Sequence, residues 1–152
     1  SGQATSVGII SNKALRETFN EMLERTHIAN GNLFGTVAME AAYNQGDQWL
    51  DELLRYLVGN LELIDEYTRE RLSGIELVRP EGTYLAWLDC RGLPVKADQI
   101  NRFMIDQAQV GMNDGASFGE NGAGFQRLNF GCPRQTLRKA LTQIERAIDA
   151  LK

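Results

Sequence analysis

The chain has 152 residues, 43% of them hydrophobic and 24% charged, and its 16 Lys and Arg against 20 Asp and Glu leave a net charge of −4. Such a composition suits one ordinary globular domain, or one small domain with a piece of another. Dispersed basic residues under a net negative charge argue against nucleic acid, no apolar run approaches the ~18 residues of a membrane span, and no basic segment followed by a long apolar core marks a signal peptide.

Residue types exclude further chemistries. His27 is the sole histidine, so HExxH and multi-histidine zinc sites are impossible; its expected place is the C-terminal end of a helix, where the dipole favours it. The P-loop pattern GxxxxGK[ST] does not occur. Cys90 and Cys132 lie far apart in sequence, which reads as packing thiols in a reducing, cytoplasmic compartment.

Thr5 to Ile10 is short, apolar and β-branched, and reads as a buried strand. Asn12 can cap the next element, an amphipathic helix of about 14 residues with Leu15, Phe19, Met22 and Leu23 on one face. A turn-forming segment with Asn30, Gly31 and Asn32 follows, then a small-residue helix from Phe34 to Tyr43. Asp47 caps a long helix running to Leu72, with Gly59 in its middle as the expected kink or break and Ser73-Gly74 as its stop. From Ile75 the character changes. Two strands, Ile75 to Val78 and Thr83 to Asp89, flank the turn Arg79-Pro80-Glu81-Gly82. A helix starts at Lys96-Ala97-Asp98 and ends at Gly111, Val110 to Met112 reads as a short strand, and a last helix follows Pro133. The order β-β-α-β-β-α describes a small two-layer α+β unit.

Between the last two strands lies a loop with Gly115, Gly119, Gly122 and Gly124. GENGAG there is no dinucleotide fingerprint, because its spacing is GxxGxG and a strand follows it; it reads as a flexible connection whose glycines tolerate positive φ. In FQRLNFG, alternation sets Gln126, Leu128 and Phe130 on the core face and Arg127 with Asn129 on the other. A guanidinium fork fits a carboxylate bidentately. Spacing alone leaves two readings open: an ion pair with a neighbouring Asp or Glu, which it favours, or an anchor for an anionic ligand.

YLAWLD at 84–89, FGENGAGF at 118–125 and above all RLNFGCPR at 127–134 resemble the C-terminal part of fold-type I pyridoxal-phosphate (PLP) enzymes. The closest resemblance is to the MalY/PatB group of class I/II aminotransferase-like proteins, which includes cystathionine β-lyases and other C–S lyases. VGIISN at 7–12 and residues 32–57 are similar to upstream parts of the same family, so the likeness covers essentially the whole chain. It implies an α/β architecture: residues 1–46 as a strand-and-helix remnant of the large cofactor-binding domain, 47–74 as a connecting helix, and 75–152 as the small α+β domain. It implies that Arg127, with Asn129 beside it, binds the α-carboxylate of an amino-acid substrate. It further implies that Asn30 and Asn32 lie near the active site of a homodimer partner. The family's Schiff-base lysine is expected upstream of Gly2, and none of Lys13, Lys96, Lys139 and Lys152 stands in its position. The chain is therefore expected to bind no PLP and to be inert alone, as a fragment of a C–S lyase or aminotransferase. The competing expectation is a stand-alone carboxylate-binding or interaction module.

Overall fold

The computed structural model describes residues 2–28 and 31–151, which divide into two compact units, 1–52 and 53–152.

The first unit holds α1 (Lys13–Arg25), α2 (Leu33–Gln45) and the start of α3 (Asp47–Glu70). Asn12 caps α1, its side-chain oxygen accepting the Leu15 N–H at 3.1 Å, and Asn32 caps α2 through the Phe34 N–H at 3.1 Å. Capping oxygens satisfy donors that the first helical turn cannot. The expected strand over Thr5 to Ile10 is not formed. The segment has no ladder partner among the described residues, and Val7 and Ile9 are 65% and 95% exposed. An apolar run takes up strand structure only where another strand satisfies its backbone. The apolar stripe of α1 is likewise uncovered: no residue of that helix is buried.

The second unit is a four-stranded antiparallel sheet over three helices. Its strands are β1 (Glu76–Val78), β2 (Leu85–Asp89), β3 (Asn113–Asp114) and β4 (Phe125–Asn129), in spatial order β1-β2-β4-β3. The helices are the rest of α3, α4 (Ile100–Asp106) and α5 (Arg134–Asp149). One sheet face supplies Ala86, Leu88 and Leu128 to a core completed by Leu57, Leu61 and Ile64 of α3, Ile100 and Met104 of α4, and Leu137, Leu141 and Ile144 of α5. Each of the leucine, isoleucine and methionine side chains stabilises by roughly 1.5–3 kcal/mol when fully buried. Gln126 also lies on this face, fully buried, and neither atom of its amide finds a hydrogen-bond partner.

The boundaries around α4 differ from the sequence reading. α4 stops at Asp106, short of Gly111, because Gln109 adopts a left-handed conformation (φ 55°). The Val110 N–H then folds back onto the Met104 carbonyl at 2.9 Å. Val110 is thereby used as core, and the short strand begins three residues later, at Asn113.

α3 runs unbroken through Gly59 for 24 residues, about 36 Å. The expected kink is absent, and the glycine has another use. A Cβ at Gly59 would sit 2.5 Å from Nη2 of Arg134, whose side chain crosses the helix there. Arg134 donates from Nε to Asn60 Oδ1 (3.0 Å) and from Nη2 to the Tyr56 carbonyl (3.4 Å), and lies over the Tyr56 ring. Its backbone N–H donates to Tyr56 Oη at 2.7 Å. Asn60, fully buried, completes the joint by donating to the carbonyls of Phe130 (2.9 Å) and Cys132 (3.0 Å).

This joint makes a double-mutant prediction. Alanine is favoured over glycine within a helix by about 1 kcal/mol. In urea unfolding, Gly59→Ala alone is expected to gain little or to lose stability, because Arg134 must leave its partners. In an Arg134→Ala background the same change is expected to gain about 1 kcal/mol. An equal gain in both backgrounds would show that the glycine does not serve Arg134.

Candidate functional site

The sheet face opposite the helices is the chemically distinctive surface of the second unit. Residues directly opposite on antiparallel strands share a face. The register pairs Trp87 with Arg127, Asp89 with Phe125, and Asn113 with Arg127. Each of these side chains therefore projects away from the core.

Two arginines on this face are each stacked on a phenylalanine. Arg91 lies over Phe125 with its guanidinium carbon 4.6 Å from the ring centroid, and Arg127 lies over Phe118 at 4.5 Å. Trp87 joins the two stacks, parallel to Phe125 and edge-on to Phe118, with both ring centroids at 5.6 Å. Aromatic pairs at this separation contribute roughly 0.5–1.5 kcal/mol beyond their burial, so the five side chains form one braced row.

The arginines differ in their acceptors. Arg91 is closed by a carboxylate, donating from Nε to Asp89 Oδ1 (2.9 Å) and from Nη2 to Asp89 Oδ2 (2.6 Å). That side-chain hydrogen bonding, opposed by burial, holds the Asp89 carboxyl below its ordinary value of 3.8. Arg127 uses the same Nε–Nη2 edge but gives it to a neutral amide, with Asn113 Oδ1 at 3.3 and 3.0 Å. Among the described residues no carboxylate pairs with it. Among the described residues, two of its five N–H donors find an acceptor, and neither of them is on the Nη1 side. The ion pair that spacing favoured for Arg127 is thus absent from the described residues.

The glycine loop that leads to β4 is ordered. Gly115–Phe118 and Glu120–Gly122 are 3-10 turns joined by Gly119 at φ 132°. The Asp114 side chain accepts the Ala116 N–H at 3.2 Å, and Ser117 Oγ donates to the Asp114 carbonyl at 2.6 Å. The two turns approach so closely that a Cβ on Gly122 would strike the Gly115 carbonyl. This packing sets Phe118 under Arg127. A cleft of about 340 Å³ lined by Trp87, Phe118 and residues 119–122 lies beside the row.

The other residues singled out from sequence fall as follows. Asn129 shares the Arg127 face, is exposed, and accepts the Gly131 N–H at 2.9 Å, which shapes the exit of β4. Asn32 lies in the first unit, where it caps α2 and donates to Gln3. Asn30 lies outside the described residues. Cys90 is buried and its thiol is pushed up to about 12, chiefly by burial; Cys132 is raised for the same reason. Both fit inert packing thiols. Asn113, Phe118, Trp87 and Phe125 escaped the sequence reading. A hairpin centred on Glu120 would have paired Asn113 with Arg127, but the pairing is informative only once the register is known.

No protein-family model matches the chain. Among curated proteins it is 32% identical over 147 residues to the cystathionine β-lyase PatB of Bacillus subtilis, covering 97% of this chain and 38% of PatB. It is 36% identical over 146 residues to the MalY protein of Escherichia coli, covering 95% and 37% respectively. Among solved structures, cystalysin of Treponema denticola, which contains a pyridoxal 5'-phosphate cofactor, superposes with a TM-score of 0.88 at 30% identity, over 95% of this chain and 36% of that one. The fold is that of the C-terminal domain of fold-type I PLP-dependent enzymes. The homologues of the chain are the MalY/PatB cystathionine β-lyases, of whose length it spans little more than a third.

PLP in such enzymes is held by a lysine amine. In the second unit Lys139 is exposed on α5, on the opposite side of the sheet from Arg127.

Asp89 makes a pH prediction. A carboxyl whose folded value is depressed contributes stability above its unfolded value and loses it as pH falls through the folded one. Wild type is expected to exceed Asp89→Asn in stability at neutral pH, with the difference shrinking as pH drops below 3.8. A difference independent of pH, measured by urea unfolding across that range, would mean that Asp89 acts through packing alone.

Proposed function

We propose that this chain is the C-terminal part of a PLP-dependent enzyme acting on amino acids, by C–S β-elimination or by transamination, and that Arg127 receives the substrate α-carboxylate. The observation that carries this reading is the open guanidinium edge of Arg127. It is braced by Phe118 and Asn113 on the outer face of a sheet whose structural relatives are PLP enzymes. Asn129, on the same face, supplies a side-chain amide next to the bound carboxylate. In this reading residues 75–152 are the small domain, 47–74 the connecting helix and 1–46 a part of the large domain. PLP, when bound, supplies the electron sink for breaking bonds at the amino-acid α and β carbons. This chain's share is to bind and orient the substrate, and alone it is expected to turn nothing over.

A charge-assisted hydrogen bond contributes roughly 1.5–3 kcal/mol, which corresponds to about 10- to 150-fold in kcat/KM. In the full-length protein, Arg127→Ala is expected to lose at least that range for amino acids while the visible spectrum of the bound cofactor stays unchanged. An unchanged kcat/KM contradicts the assignment.

The first unit exposes Val7, Ile9, Phe34, Val37 and Trp49. Apolar surface of this extent marks interfaces, and we propose that the chain self-associates, as a homodimeric parent would. Sedimentation equilibrium is expected to show a dimer, with a concentration-independent monomer as the contrary result.

A further inference from the structure

The two arginine stacks differ in one acceptor, and that difference has a chemical meaning. Arg91 is stacked on a phenylalanine and closed by Asp89, and its charge is spent inside the chain. Arg127 is stacked in the same way, through the same edge, but its acceptor is the neutral amide of Asn113. We propose that Asn113 and Phe118 are positioning residues that immobilise Arg127 without neutralising it, so that its charge and its Nη1 side stay available to an incoming carboxylate. The proposal rests on the reading of Arg127 as a carboxylate anchor and adds to it the residues that make the anchor selective for an anion.

The local fold supports the division of roles. Asn113 is placed opposite Arg127 by the β3–β4 register. Its neighbour Asp114 carries the charge, but the Asp114 side chain is turned into the loop, where it accepts the Ala116 N–H. That same cap starts the 3-10 turn that ends at Phe118. The order Asn-Asp therefore sends the amide to the arginine and the carboxylate to the loop. An arginine held in advance has already lost the rotamer freedom that binding would otherwise cost. A carboxylate at position 113 would hold it equally well and would also occupy it, as Asp89 occupies Arg91.

The test uses the 152-residue chain and acetate as the probe, at constant ionic strength, with sodium chloride as the control anion. The indole N–H of Trp87 reports in an NMR titration, since Trp87 lies opposite Arg127 and touches Phe118, and Trp49 is the internal reference. Wild type is expected to give a saturable shift with a dissociation constant on the order of 10 mM, and Arg127→Ala to abolish it. Asn113→Asp is expected to weaken acetate about tenfold or more while raising the melting temperature. Phe118→Leu is expected to weaken it several-fold with only a small fall in melting temperature, and Phe118→Tyr to restore both. Asn113→Asp binding acetate like wild type, with Arg127→Ala inactive, overturns this inference and leaves the anchor intact. Identical behaviour of wild type and Arg127→Ala overturns the anchor itself.

Discussion

The buried carboxamide of Asn60 is the joint on which the second unit depends. Its two N–H groups take the carbonyls of Phe130 and Cys132, and its oxygen takes the Arg134 side chain. All of this happens at a fully buried position on α3. A buried carbonyl left without a donor costs roughly 1–3 kcal/mol, so no apolar side chain could replace this one cheaply. The joint fixes where β4 ends and where α5 begins, and it requires Gly59 to be bare so that Arg134 can cross the helix. Arg127 lies three residues before the first of the carbonyls so held. The helix that carries the core thus also sets the register of the strand that carries the charge.

Given that frame, the outer sheet face shows how a protein can keep a cation ordered and unspent. Stacking on an aromatic face fixes the guanidinium plane at small electrostatic cost. A neutral acceptor fixes its rotation. Asp89–Arg91 is the closed form of the arrangement and Asn113–Arg127 the open form, a few residues apart on one surface. The contrast argues for a ligand role more strongly than exposure would, because a solvent-facing arginine with no task is as readily closed by a carboxylate.

Much of this was legible in the sequence, and what was not had a physical reason. Element order from Ile75 onward follows from alternation and from the Arg79–Gly82 turn, and the face of Arg127 follows from period two alone. Asn12 and Asn32 announce their helices because capping chemistry is local. The Thr5–Ile10 strand was misread because a strand is a property of a pair, and its composition says nothing about whether a partner is near. Gly59 was misread as a breaker because helix propensity is blind to a side chain arriving from 75 positions later. The same blindness hid Asn113 and Phe118: both owe their places to a register and to a pair of 3-10 turns that composition reads only as glycine-rich. The fit to PLP-dependent enzymes, by contrast, rested on RLNFGCPR, where the charged strand, the joint and the helix start lie in one contiguous run.

The central claim is that Arg127 recognises the substrate carboxylate. The most direct measurement is the ratio of the full-length protein's affinities for an amino-acid inhibitor and for the corresponding carboxamide, in wild type and in Arg127→Ala. The account predicts that wild type prefers the acid by about tenfold or more and that the variant binds both about equally. A preference for the acid that survives the loss of Arg127 would contradict it.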